Sequence, residues 1–402
     1  MIRDADSVLI VVAVAASGPL LAAAMGRLSK ELIVPIVVFE IVLGALIGPH
    51  GLKFAHLDDT LNVLSTLGLA MLFFFAGYEI DLAVVRGRPL TLAVVGWLIS
   101  LVLAYSFAGV LAAAGLVISG VLTGSALCTT AIGTILPVLR DNDQLGGRFG
   151  PAMLAAGAVG ELGPILIVTL VLTTTSNRVS QGLLLGAFVV LTVLAAIASS
   201  MSVKRWWAFI ARSMETSGQL PVRLTVLFLA ALVVLADHLG LDIILGAFAA
   251  GMIVRGVLQD REDVEALNSK LEALGFGFLI PFFFIESGMK LDLSALTGGF
   301  DGIEKVPLFL LAFLVVRGLP ALLLYRRDLN RSDRIGLGLF SATELPIVVA
   351  ITSLGVQEHE MRATTAVALV TAAVLSVLIF PTVAMAIRAR GARAQAATAG
   401  SP

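Results

Sequence analysis

Thirteen apolar runs, each roughly long enough to cross a bilayer, leave this chain few ways to fold. A window of about 19 residues places them near 7–25, 32–48, 61–78, 89–114, 119–139, 149–173, 180–201, 220–237, 241–258, 268–285, 306–325, 335–354 and 362–387. In hydrocarbon every backbone amide and carbonyl must be paired within the protein, so runs of this length are helices. With 58% hydrophobic and 14% charged residues over 402 positions, a soluble domain is excluded. The expected fold class is an all-α polytopic membrane protein of about 13 transmembrane helices embedded in a lipid bilayer. The single cysteine, Cys128, rules out an internal disulfide and a thiolate metal site. HExxH and GxSxG are both missing and the four histidines are not paired at ligand spacing, so no enzyme is expected. No cofactor and no nucleic-acid partner is expected either.

Basic residues orient the runs. Loops after odd-numbered spans, with the C-terminal tail, hold 20 Lys and Arg against 6 on the other side, and Arg317 lies inside a span. The positive-inside rule therefore sets the N-terminus outside and the C-terminus in the cytoplasm, as 13 crossings of a cell inner (plasma) membrane require. Residues 201–214, MSVKRWWAFIARSM, pair two tryptophans with Lys204 and Arg205 and read as an interfacial segment at headgroup depth. Six spans precede the seventh and six follow it. This predicts two inverted six-helix repeats, 1–175 and 220–388, joined by a linker helix and basic loop over 176–219. Residues 389–402 are small and polar and read as a disordered cytoplasmic tail.

A carboxylate in the middle of the sixth span, Glu161, is the leading functional candidate. A mid-membrane charge costs roughly 2.5–3.5 kcal/mol on insertion scales and is by default a functional residue. Pro164 lacks an amide hydrogen and deprives the carbonyl of Gly160 of its helical partner. Carboxylate and carbonyl together are the oxygen ligands that hard cations and protons prefer. The fifth and twelfth spans correspond in the inverted scheme, and each has a Thr-containing, weakly helical centre followed by a proline. Pro137 would free the carbonyl of Gly133, and Pro346 that of Ala342. Broken helices bring half-helix dipole ends into the membrane core, and those ends need counter-charges. Glu344 and Arg317 are the candidates for charge compensation, and Thr129 and Thr130 for oxygen ligands. Each has a plainer reading. Glu161 could be a hydrogen-bonded structural acid, the threonines commonly bond their own backbone, and Glu344 and Arg317 could serve only helix ends. Glu40, midway along the second span, has no assigned role.

Six stretches in order resemble the monovalent cation/proton antiporter-2 family, which includes Kef-type and related sodium/proton antiporters. They are MLFFFAGYEIDL (71–82), CTTAIGTILPVLRD (128–141), GAVGELGPIL (157–166), PFFFIESGMKLDL (281–293), VVRGLPALL (315–323) and LGLFSATELPIVVA (337–350). The resemblance implies a thirteen-helix homodimer with a scaffold domain and a mobile core that holds two crossed discontinuous helices. The sixth-span carboxylate would carry a cation or a proton in turn, in an elevator-like movement. The chain departs from the family pattern in two places within the membrane. Gly160 stands where the family has an acid or amide before the carrier acid, and Arg317 where a lysine is common. Arginine stays charged and is a poor proton carrier.

These readings converge on exchange of a monovalent cation, Na+ or K+, for H+ at Glu161. A bound cation requires the ionised carboxylate, so cation and proton compete for one group. With one titratable carrier the exchange is expected to be electroneutral. The alternative is a degenerate, non-transporting antiporter fold that acts as an ion or pH sensor or as a membrane partner subunit.

Overall fold

Apolar runs that must pair their own backbone fold as helices, and in the computed structural model of the chain the regular elements of the described part are all helices. The structure describes residues 2–28, 35–79, 87–172, 186, 216, 218–239, 243–258, 264–291 and 302–399. The elements are α1 (Ile2–Leu28), α2 (Ile36–Ile47), α3 (Asp59–Glu79), α4 (Arg88–Ala113), α5 (Gly120–Leu127), α6 (Ile132–Asp141) and α7 (Phe149–Leu172). After these come α8 (Leu220–His238), α9 (Ile243–Leu258), α10 (Val264–Leu274), a π-helical turn (Gly275–Leu279) and α11 (Ile280–Lys290). The last group is α12 (Lys305–Phe313), a second π-helical turn (Leu314–Gly318), α13 (Leu319–Leu324), α14 (Arg331–Ser341), α15 (Pro346–Gln357) and α16 (Ala363–Ala399). Among the described residues, nine helical stretches are long and apolar enough to cross a membrane and three more are shorter and apolar. Together they match twelve of the thirteen expected runs. The seventh run, 180–201, and the interfacial segment 201–214 lie outside the described residues.

Two of the runs are not single helices. The fifth breaks between α5 and α6, at Cys128–Ala131, and the twelfth between α14 and α15, at Ala342–Leu345. The proline argument located these breaks only in part. Pro137 sits inside α6, and the break lies six residues ahead of it, around Thr129 and Thr130, so Gly133 belongs to the helix after the break. Pro346 opens α15, where its fixed φ suits the first helical turn, and Ala342 caps α14. Pro164 interrupts nothing, since α7 runs through it from Phe149 to Leu172. At the C-terminus, α16 continues to Ala399, past the end expected near 387 and through most of the segment expected to be disordered. Alanine and arginine dominate that stretch and are strong helix formers.

The helices gather into two compact units whose segments interleave along the chain. One comprises Met1–Ala15, Ala55–Asp81 and Ile165–Glu286; the other comprises Ala16–Phe54, Leu82–Pro164 and Ser287–Pro402. In the first, α3 and α9 pack backbone against backbone. A Cβ on Gly77 would lie 2.1 Å from the carbonyl oxygen of Phe248, and one on Gly251 would lie 1.9 Å from that of Phe74. Helices without a hydrophobic driving force between them gain van der Waals contact through such close approaches. At the end of the same pair, the Tyr78 hydroxyl meets Asn268 and the Arg255 guanidinium lies 5.7 Å from the Tyr78 ring centre.

In the second unit, α14, α12 and α15 pack on α16, and α5 packs between α4 and α15. Lys305 is the buried first residue of α12 and donates to the carbonyl of Leu116 at 2.7 Å. Arg388 of α16 donates to Asp333 at 2.8 Å and lies over the Phe149 ring at 3.5 Å, tying the starts of α7 and α14 to the last helix.

Gly251→Ala should lower stability by roughly 1–3 kcal/mol, the cost of overpacking a close contact. Gly109→Ala, at a position with nothing within 4 Å of the added carbon, should not lower it. Thermal unfolding of the two purified variants in detergent checks the pair, and equal midpoints would contradict the packing described.

Candidate functional site

A π-helical turn carries one more residue per hydrogen-bonded turn than an α-helix, which re-aims the side chains it contains and often marks a functional site. The turn Leu314–Gly318 contains Arg317, buried at 5% exposure in the second unit. A cation held there needs several acceptors, because each unmet donor costs its full desolvation. Arg317 has them. Its Nε and Nη2 donate to the Thr130 hydroxyl at 3.0 and 2.7 Å, Nη2 also donates to the carbonyl of Ala156 at 3.2 Å, and Nη1 donates to the Ser100 hydroxyl at 3.3 Å. These partners come from the first break, α7 and α4.

The two breaks satisfy each other. The N–H of Ala131 donates to the carbonyl of Thr343 at 2.8 Å, and the Thr130 hydroxyl, while accepting from Arg317, donates to the carbonyl of Ser341 at 2.7 Å. The free carbonyl of Cys128 accepts from the Trp97 indole at 3.2 Å. On the other side, Ser376 of α16 holds the second break: its hydroxyl accepts from the N–H of Glu344 at 3.0 Å and lies 3.1 Å from the Glu344 carbonyl. Non-helical backbone at membrane depth is tolerated where protein pairs it in this way.

The carboxyl of Glu344 is fully buried, and the Thr129 hydroxyl is the hydrogen-bonding group that acts on it. Arg317 is the opposite charge that acts on it.

Gly160 explains how so large a cation fits beside α7. A Cβ there would lie 2.3 Å from Arg317 Nη2 and 2.6 Å from the Thr130 hydroxyl oxygen. The absent side chain is the space the guanidinium occupies. The next residue is Glu161, 4% exposed, its side chain about 100° further round the helix. Two residues later, a Cβ on Gly163 would lie 2.3 Å from the Trp97 ring, so the same indole that caps the first break also lies against the carboxylate's helix.

Of the residues singled out in the sequence, Thr130, Gly160 and Arg317 are in mutual contact, Glu161 adjoins them on α7, and Glu344 lies in the second break. Thr129 lies in the first break, its hydroxyl 3.2 Å from the carbonyl of Ala126 and within reach of the Glu344 carboxyl. Glu40 is buried elsewhere in the unit, on α2. The sequence reading missed Ser100, Trp97 and Ser376. Ser100 had a signal: it is a hydroxyl midway along the fourth span. Trp97 and Ser376 act through backbone contacts that no pattern announces. Among the described residues, no cluster of three or more His, Cys, Asp or Glu could hold a metal ion.

Gly160→Ala should destabilise the protein, and the penalty should shrink in an Arg317→Lys background, where a slimmer cation leaves room. The coupling between the two changes should be roughly 0.5–3 kcal/mol, the range for residues in contact. A double-mutant cycle on thermal stability measures it, and strict additivity would refute the close approach.

The comparisons with known proteins agree with the fold. YjbQ of Bacillus subtilis is 28% identical over 374 residues, which cover 87% of this chain and 58% of that protein, so the chain spans little more than half the length of this relative. The Na(+)/H(+)-K(+) antiporter GerN of Bacillus cereus is 27% identical over 349 residues, 82% of this chain and 84% of that one. The sodium proton antiporter MjNhaP1 of Methanocaldococcus jannaschii has the same fold, with a TM-score of 0.62 at 16% identity, covering 95% of each chain. The family model described as "Sodium/hydrogen exchanger, transmembrane" matches residues 15–387, and the chain belongs to that family.

Proposed function

We propose that this protein exchanges a monovalent cation, Na+ or K+, for H+ across a membrane, with Glu161 as the group for which the two compete. The observation that carries the reading is a buried carboxylate on an unbroken helix, next to a glycine over which a permanently charged guanidinium and a hydroxyl from a broken helix are packed. Oxygen atoms of a carboxylate, of Thr129 and Thr130 and of unwound backbone are the ligands a hard monovalent cation takes. The ionised, unloaded carboxylate is the costly form in the membrane. The loaded or protonated site is neutral and crosses, the bare one does not, and that difference couples the two fluxes. The fold and family shared with sodium/proton antiporters support the same reading.

Gly160 and Arg317 bear on the stoichiometry. Where the family pattern places a second acid or amide, this chain has a glycine whose space the guanidinium fills. Arginine does not release its proton, and this leaves Glu161 as the one titratable carrier of the set. We read the exchange as one proton per cation and electroneutral, with Arg317 and Glu344 in charge compensation.

The candidate residues all belong to one compact unit, which favours an elevator-type alternating access in which the site travels with the element that holds it. The matching breaks in the fifth and twelfth spans favour two inverted repeats, 1–175 and 220–388, about the linker 176–219. A homodimer in the cell inner membrane, N-terminus outside and C-terminus cytoplasmic, completes the proposed arrangement.

In proteoliposomes with an internal pH dye, pulses of sodium, potassium and lithium should move protons through the wild type. Glu161→Gln should abolish the response while its unfolding midpoint stays near that of the wild type; exchange at the wild-type rate would refute the site. Imposing a membrane potential should leave the wild-type rate unchanged, and a transport current on a supported membrane would refute electroneutrality.

A further inference from the structure

Two arginines bracket one face of α7. Gly160, the seat of Arg317, follows Phe149 by three helical turns, and at about 100° per residue the two positions point within about 20° of one another. A rise of about 1.5 Å per residue sets them roughly 16 Å apart. Over the Phe149 ring lies the guanidinium of Arg388, from α16. Between the two, a Cβ at Gly157 would lie 2.6 Å from Ile132 Cδ1, at the start of α6.

Arg388 also holds the two half-helices that lead to the breaks, at the ends far from the breaks. Its Nε donates to Asp333 Oδ1 at 2.8 Å, and its Nη1 donates to the side-chain oxygen of Gln144 and, at 3.3 Å, to the carbonyl of the same residue. Gln144 follows α6 in the chain, and Asp333 lies in the first turn of α14. The stem of Arg388 lies against α14, since a Cβ at Gly336 would be 2.7 Å from its Cδ. Asp333, Gly336 and Phe340 are spaced i, i+3 and i+7 and share one face of α14. Phe340 meets Phe149 edge to face, with 6.1 Å between ring centres. Asn330 Nδ2 donates to the second carboxylate oxygen of Asp333 at 2.9 Å, so both oxygens are held. The side chains of Arg388 and Asp333 are 12% and 23% exposed, which shields the pair from the solvent that weakens surface pairs.

The three helices of the site are therefore tied at two levels. At the breaks, Arg317 takes Thr130 and sits on Gly160, and Thr130 takes Ser341 at the end of α14. Some three turns away, Arg388 takes Gln144, Phe149 and Asp333. A single tie fixes where a helix lies and leaves its tilt free; two ties fix both. We propose that Arg388 is a positioning residue for exchange at Glu161: from α16 it sets the tilt of α6, α7 and α14, and through that tilt the spacing between the carboxylate and the oxygens of the breaks. It contacts neither the cation nor the exchanged proton. The holding of the three helices stands independently of the antiport reading; its effect on the cation rests on that reading.

The test compares the wild type, Arg388→Ala and Arg388→Lys, each as the whole protein. Lysine keeps a charge toward Asp333 and lacks the planar fork that reaches Gln144 and covers Phe149. In proteoliposomes, Arg388→Ala should raise the apparent KM for sodium about threefold to tenfold while kcat changes by less than about twofold. Arg388→Lys should fall between it and the wild type. Hydrogen exchange read by mass spectrometry should be faster in α6 and α14 of Arg388→Ala and unchanged in α3, which belongs to the other unit. A KM equal to that of the wild type overturns the proposal even where hydrogen exchange has quickened, because a merely structural tie would loosen the fold and leave the cation affinity alone. Hydrogen exchange that matches the wild type in α6 and α14 overturns it as well. Should Arg388→Ala not fold, Arg388→Lys decides on the same two readouts. A wild type that passes no protons defeats the antiport reading, and hydrogen exchange still decides whether Arg388 holds the helices.

Discussion

The buried guanidinium of Arg317 is the constraint on which the second unit depends. A cation that never loses its charge has been placed at membrane depth, and each charge-assisted hydrogen bond to it is worth about 1.5–3 kcal/mol against a desolvation cost of several. Its acceptors come from α4, α7 and the first helix break, so satisfying one side chain fixes three elements relative to one another. Thr130 is the joint of this arrangement. Its oxygen accepts twice from Arg317, and its hydrogen goes to Ser341 at the end of α14, next to the other break.

Gly160 and Arg317 are best understood as one feature. A side chain at 160 and a guanidinium at 317 cannot both be accommodated, since the first carbon of the former would overlap the terminal nitrogen of the latter. A missing side chain in one span is therefore matched, in space, by a large cation in another. The consequence is chemical as well as steric. Space that a side chain at 160 would fill holds a fixed positive charge, and Glu161 has no acidic residue beside it at that position.

Both breaks show why irregular backbone persists in a low-dielectric setting. Each leaves amides and carbonyls without helical partners, and those described are met by the opposite break, by Trp97 and by Ser376. Trp97 touches both the first break and the helix of Glu161, which makes it the mechanical link between the backbone that unwinds and the helix that carries the acid.

Hydropathy alone determined the membrane class and twelve of the spans, because a bilayer allows so few structures that length and apolarity suffice. It also singled out Glu161, Arg317, Glu344 and Thr130, because polar groups in such runs are conspicuous. What it misjudged were backbone positions. Proline showed that the fifth and twelfth spans are irregular, yet the first break falls at Cys128–Ala131, well ahead of Pro137, since unwinding occurs where another element can pair the exposed amides. The extension of α16 to Ala399 was misread for the opposite reason: a polar composition hid a strong local preference for helix. Only the tertiary structure decided that Gly160 is the seat of a guanidinium, that Ser100 accepts from it and that Trp97 caps the first break. Those are facts about distances between segments far apart in sequence, and hydropathy carries no record of which helix faces which.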